Sequence, residues 1–179
     1  MKCVSCGANL PAGVDQCHHC DTLNDTDFRQ LGQARVEAPG QLHRGGDEQC
    51  PRCHSALMAL KIQMGETYPV HRCKRCLGTF WGNDDLRHLL TTVADGRGLD
   101  AARLAQLCKE TPREIWPIAY LPCPDCRETM LRTSFGDGCA VVGDRCKDHG
   151  VWLDGGELGR LLNWARAGGV LKPQGPRVL

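Results

Sequence analysis

The chain has 179 residues, a formal net charge of +1, 13 cysteines, and only three Phe, four Trp and two Tyr. So few large apolar side chains cannot hold small modules together alone, and the composition calls for a disulfide or metal crosslink. The charge excludes a protein that holds nucleic acid by bulk electrostatics, and no apolar run nears the roughly 20 residues of a membrane span. Met1-Lys2-Cys3 opens without an apolar secretory segment, so the expected setting is the reducing cytoplasm. There paired Cys-x-x-Cys motifs read as metal ligands before disulfides, and an odd cysteine total suits a closed disulfide framework poorly.

In chain order, residues 1–20 read as an N-terminal zinc ribbon. Cys3-Val4-Ser5-Cys6-Gly7 and Cys17-His18-His19-Cys20 form two knuckles, with Gly7 free to turn the first. The expected ligands are Cys3, Cys6, Cys17 and Cys20, with His18 or His19 as weaker substitutes. Residues 21–49 read as a linker with a short helix around Thr26 to Glu37, ended by Pro-Gly and Gly-Gly.

Residues 50–90 form a first zinc-finger unit. Cys50-Pro51-Arg52-Cys53 and Cys73-Lys74-Arg75-Cys76 are separated by nineteen residues. Between them, alternation over Leu57–Ile62 predicts a strand, Gly65-Glu66 a turn, and Tyr68–Arg72 a second strand. Asn83 and Asp84 offer a helix start for Leu86, Leu89 and Leu90. Residues 91–122 follow as a helical connector, patterned near Asp100 to Glu110, with Cys108 on its apolar face.

Residues 123–167 form a second unit related to the first by an offset of 73. Cys50, Cys53, Cys73 and Cys76 fall on Cys123, Cys126, Cys146 and His149. One residue is then lost, and Gly78-Thr79-Phe80 aligns with Gly150-Val151-Trp152. This is the signature of an internal duplication. His149 is expected as the fourth ligand, with Cys139 on the hairpin as the alternative. Asp154-Gly155-Gly156-Glu157 has capping-box spacing, and the Leu158, Leu161 and Leu162 face is expected on Trp152. Residues 168–179, with Gly168-Gly169, Pro173 and Pro176, read as a flexible tail.

The expected fold class is therefore small zinc-stabilised α+β modules. Each is a zinc β-ribbon (knuckle, hairpin, knuckle) followed by a short helix. Three structural Zn²⁺ on eleven thiolates would shift the formal +1 by −5, to −4. Four protein ligands per ion leave no open position for a reacting water, and the sequence has no His-Glu-x-x-His helix, so a non-catalytic protein is expected.

The run Cys-Pro-x-Cys to Cys-x-x-His-Gly-x-Trp-x-Asp-x-x-Glu-Leu in the second unit resembles bacterial proteins carrying a transcription factor IIB-type zinc finger. The first unit resembles a divergent copy, with Phe80 in the Trp position. The resemblance implies the same eight ligands in the two units and says little about activity. Three functions are weighed. The first is a protein-interaction adaptor, engaging a protein partner through several rigid ribbons. The second is nucleic-acid binding or a transcription role through Arg52, Arg72, Lys74 and Arg75 beside His71. The third is a redox-sensitive zinc switch using the spare Cys108 and Cys139.

Overall fold

The computed structural model describes residues 2, 7–11, 18–19, 35–36, 48–64, 66–97 and 116–173. Their strands are β1 (Arg35–Val36), β2 (Leu57–Met64), β3 (Glu66–Cys73), β4 (Thr79–Gly82), β5 (Leu131–Ser134), β6 (Val142–Arg145) and β7 (Gly150–Leu153). Two helices, α1 (Asn83–Ala94) and α2 (Glu157–Arg166), follow β4 and β7. The architecture is α+β: one antiparallel sheet in the order β1-β2-β3-β4-β7-β6-β5 with both helices packed together.

The pairing follows the sequence offset. Met58↔Arg72 in the first hairpin becomes Leu131↔Arg145 in the second, and His71↔Phe80 becomes Asp144↔Trp152. The offset changes from 73 to 72 at Leu77, an extra residue that takes a left-handed conformation (φ 61°) between knuckle and strand. The units join edge to edge through β4 and β7, with Thr79↔Leu153, Phe80↔Trp152, Trp81↔Val151 and Gly82↔Gly150. Because Phe80 and Trp152 are equivalent positions facing each other, the joint is isologous, like a two-fold dimer interface within one chain.

Alternation then divides the core in two. Trp81, Val151 and Leu153 face the helices and cluster with Leu86, Leu89, Leu161 and Leu162. Phe80 and Trp152 face the other way and cluster with Cys50, Cys73, Cys76, Cys123 and Cys146. The apolar face of α2 therefore packs with Trp81, not with Trp152 as the sequence suggested. The period-2 pattern sends adjacent aromatic residues to opposite sides of the sheet, and Trp152 falls on the cysteine side.

Three further expectations change. Arg35 and Val36, placed in a helix by the sequence, instead pair with Lys61 and Leu60 and satisfy the open edge of β2. Residues 116–120 carry no regular secondary structure, and α1 continues past residue 90 to Ala94. The helical pattern at 100–110 lies outside the described residues, as does most of 21–49. Gly168-Gly169 do not begin a loose tail. Gly168 is left-handed (φ 91°) and donates to the Ala165 carbonyl, while Gly169 donates to the Trp164 carbonyl. That is a Schellman stop, and it returns the chain so that Leu171 bridges Gly136 and Lys172 donates to the Phe135 carbonyl. Gly96 ends α1 in the same way, donating to Val93 while Arg97 donates to Thr92.

The β4–β7 joint is sensitive to volume. A Cβ at Gly150 would overlap the Trp81 carbonyl oxygen, and one at Gly78 would overlap the Trp152 ring. Gly150→Ala is expected to cost about 3 kcal/mol, the upper range of core overpacking. Gly138→Ala, at a left-handed residue (φ 70°) with open space around it, is expected to cost only about 1 kcal/mol. Denaturant midpoints of the zinc-loaded chain check the difference.

Candidate metal centres

Each unit builds its centre from two knuckles presented by one hairpin. The first knuckle is closed by Cys50 N–H to Ser55 O (2.8 Å) and His54 N–H to Cys50 O (2.9 Å). In the second unit the same bonds run from Cys123 to Glu128 (2.7 Å) and from Arg127 to Cys123 (3.0 Å). The residue four after the first cysteine is left-handed in both, His54 (φ 60°) and Arg127 (φ 64°). Such a tight turn aims both sulfurs of Cys-x-x-Cys to one side. The returning strand then delivers the second pair of ligands, closed by Cys73 N–H to Gly78 O and Cys146 N–H to Gly150 O.

The result is two four-ligand clusters, Cys50-Cys53-Cys73-Cys76 and Cys123-Cys126-Cys146-His149, each with all ligand atoms within 4.8 Å of one another. Sulfur separations are 3.4 Å for Cys50–Cys76, 3.4 Å for Cys53–Cys73 and 3.8 Å for Cys126–Cys146. His149 presents Nδ1, 3.3 Å from the Cys146 sulfur and 3.9 Å from that of Cys123. A disulfide needs about 2.05 Å. A zinc tetrahedron with about 2.3 Å Zn–S bonds has edges of about 3.8 Å, so the donor sets fit Zn²⁺. Cys139 is not in the second cluster. Its sulfur lies 3.9 Å from the Val141 carbonyl, and it packs against the helix-side core.

The electrostatics of four crowded thiols also favours a cation. Hydrogen bonding with Cys73 pushes the Cys50 thiol up to about 12, and bonds from Cys50 and Cys73 raise Cys76 as well. Burial raises Cys123. The Cys50 and Cys76 contacts, with the Ser55 hydroxyl, hold Cys73 far down as the thiolate. Against the burial that would raise it, backbone and imidazole donors at Asp148 and His149 lower Cys146. A divalent cation removes the repulsion and lets all four ligands ionise.

Several supporting groups had no pattern in the sequence. Ser55 Oγ stands 3.2 Å from the Cys73 sulfur and 3.0 Å from that of Cys53. Arg52 crosses between units to grip Asp154 with Nε and Nη2, at 3.0 and 2.8 Å. Glu48 pairs with His71 Nε2 at 3.2 Å, and burial plus the nearby charge of Asp125 raises its carboxyl to about 7. Of the basic residues beside the first centre, Arg72 is buried, which pulls its guanidinium down to about 9. Arg52 is half-buried and engaged; Arg75 is exposed and Lys74 half-buried. Among the described residues no helix is long and apolar enough to cross a membrane.

The N-terminal ligands Cys3, Cys6, Cys17 and Cys20 lie outside the described residues, as does Cys108. Beside Cys3, described residues repeat two features of the other first knuckles. Gln49↔Ala56 and Pro122↔Thr129 are bridges that flank the first cysteine at −1 and +6, and Lys2↔Asn9 stands in the same relation to Cys3. Gly7 is left-handed (φ 75°) at the position of His54 and Arg127.

Two outcomes follow. Elemental analysis and native mass should give at least two zincs per chain, one for each described cluster; His149→Ala should weaken one site, and Cys139→Ala should leave the count unchanged. Chelation should unfold both units, since structural zinc binding is worth on the order of 10 kcal/mol in small fingers. Separately, His54→Gly should raise stability by about 0.5 kcal/mol, because relief of the left-handed conformation exceeds the added freedom of the unfolded chain. Its zinc affinity, read by chelator competition, should not fall.

Residues 49–92 match the family model described as transcription factor zinc-finger, a transcription factor IIB-type zinc ribbon. The match covers the first unit, while the sequence motif that carried the resemblance lay in the second. No curated protein and no solved structure matches the chain. With its ligand geometry, the match makes the region 49–92 a zinc-binding ribbon similar to those of that family.

Proposed function

We propose that this chain is a non-catalytic, cytoplasmic zinc scaffold that acts as a protein-interaction adaptor. On this reading it carries three structural zincs, two in a ribbon duplicated within the chain and one in the N-terminal knuckles. The common register under the 73 and 72 offsets supports the duplication. The Lys2↔Asn9 bridge and the left-handed Gly7 support the third ribbon. Eight protein ligands for two ions saturate tetrahedral zinc, which argues for structure over catalysis.

The observation that carries the adaptor reading is the exposed apolar pair in the segment before the second unit. Ile118 and Tyr120 are 85 % and 73 % exposed there, while Leu121 beside them is buried. An outward-facing apolar pair suits a protein partner better than a phosphate chain. Arg52 anchors the segment from behind by donating Nη1 to the Pro117 carbonyl at 3.2 Å.

Crosslinking capture with the zinc-loaded, monodisperse chain tests this. A defined protein should be retained by the wild type and lost from Ile118→Asp/Tyr120→Asp, with zinc content and thermal midpoint unchanged. Recovery of no specific protein would sink the adaptor reading. Salt-dependent DNA or RNA binding that disappears in Lys74→Glu/Arg75→Glu would favour the nucleic-acid reading instead.

A further inference from the structure

A cavity of about 370 Å³ opens between α1 and the outer strands of the second unit, bordered by Leu171 to Pro173. Its size is within the roughly 300–1,000 Å³ of small-molecule sites. One wall is a single face of α1: Asn83, Leu86, Arg87 and Leu90, spaced to lie together. The opposite wall comes from β5 to β7, including Thr133 and Arg145, with Phe135 just beyond β5.

The charge is one-sided. No acidic residue lines the cavity, while Arg87, Arg145 and Lys172 do. Arg132 borders it as well, but pairs with Asp144 in the register and so belongs to the other sheet face from Arg145. The two arginines are held in place by neutral groups. Arg145 Nε donates to Asn83 Oδ1 at 3.0 Å, and Arg87 Nη1 donates to the Lys172 carbonyl at 3.0 Å. Among the described residues, no carboxylate is within ion-pair distance of either. Lys172 donates to Ser134 Oγ at 3.1 Å and has one weak partner, the fully exposed Asp137 at 3.7 Å.

The corresponding place in the first unit shows that ribbon architecture does not require this lining. Asn83, Arg87 and Thr133 correspond to Gly155, Gly159 and Leu60. Leu60 is buried, and Arg72, the counterpart of Arg145, is buried too. Among these positions the second unit thus has a polar Thr133 and a half-buried Arg145 where the first has buried Leu60 and Arg72.

The geometry points to a binding site for a small organic anion, with its carboxylate or phosphate head between Arg87 and Arg145 and its apolar body over Leu86, Leu90 and Phe135. Guanidinium forks with free N–H groups match both heads in a planar, two-bond fashion. Asn83 ties the site to the second metal centre, since its Nδ2 donates to the Cys146 and Lys147 carbonyls at 3.1 and 3.3 Å while its Oδ1 orients Arg145.

The test is titration of the zinc-loaded full chain with benzoate and with phenyl phosphate, against neutral benzyl alcohol, read by amide NMR shifts and calorimetry. At least one anion should saturate with shifts centred on Arg87, Thr133 and Arg145, and benzyl alcohol should not; the tighter anion identifies the head group. Thr133→Leu, which installs the first unit's residue, should weaken binding by about tenfold or more, a loss of about 1.4 kcal/mol. Arg87→Gln should do the same without altering the zinc count. The proposal is overturned if neither anion saturates by about 10 mM, a weak-site limit of about 2.7 kcal/mol. Equal binding of benzyl alcohol, or wild-type affinity in both variants, overturns it too.

Discussion

Four residue pairs between β4 and β7 carry the described molecule. Neither unit closes its sheet alone: each hairpin with its third strand leaves one edge whose N–H and C=O groups need partners. Pairing those edges joins the hairpins into one sheet and sets Phe80 opposite Trp152 at the centre. It also fixes which face each aromatic residue takes. Trp81 is committed to the helices once Phe80 is committed to the cysteines. Glycine at 78 and 150 is what lets the strands come this close.

The metal centres lie at the hairpin ends, so the same sheet positions them. In each unit the knuckle before the hairpin and the knuckle after it are brought together by β2–β3 or β5–β6 pairing, and the ligand atoms converge to tetrahedral spacing. Trp152 seals both arrangements from the middle. It stands opposite Phe80 in the register and shares its cluster, and its indole N–H is spent on Asp154 at 2.9 Å. Asp154 is also the carboxylate that Arg52 grips. A knuckle of the first centre is thus locked to the strand end that follows the second.

How much of this is legible in the sequence depends on the range of the interaction. The ligands of the two described clusters were readable because zinc demands Cys-x-x-Cys spacing locally, and the hairpins because alternation is local too. The match of His149 to Cys76 required only the offset. The partner of Trp152 was not readable, since which face a central aromatic takes depends on the strand across the joint. Asp154 shows the same limit. Its spacing to Glu157 spells a capping box, and half of that box forms, with Glu157 Oε2 accepting the Asp154 N–H at 3.0 Å. The Asp154 side chain makes no cap, because Arg52 and Trp152, distant in sequence or strand, use its oxygens. Gly168-Gly169 failed for another reason: a glycine pair after a helix signals either a loose end or a Schellman stop, and only packing of the returning chain on Trp164 distinguishes them.

A symmetric joint does not make the two halves equivalent, and their differences run in one direction. Where the first unit fills its helix-side surface with Leu60, Val70 and buried Arg72, the second has Thr133, Gly143 and half-buried Arg145. Where α2 carries Gly159, α1 carries Arg87. Each change alone is a modest surface substitution. Together they replace apolar filling by directed donors around one hollow, while the ligand knuckles and the β4–β7 register keep their correspondence. Residues that hold the metals and the joint are constrained by geometry in both halves. The wall between α1 and β5–β6 carries no such constraint, and it is there that the chain is free to differ between its halves.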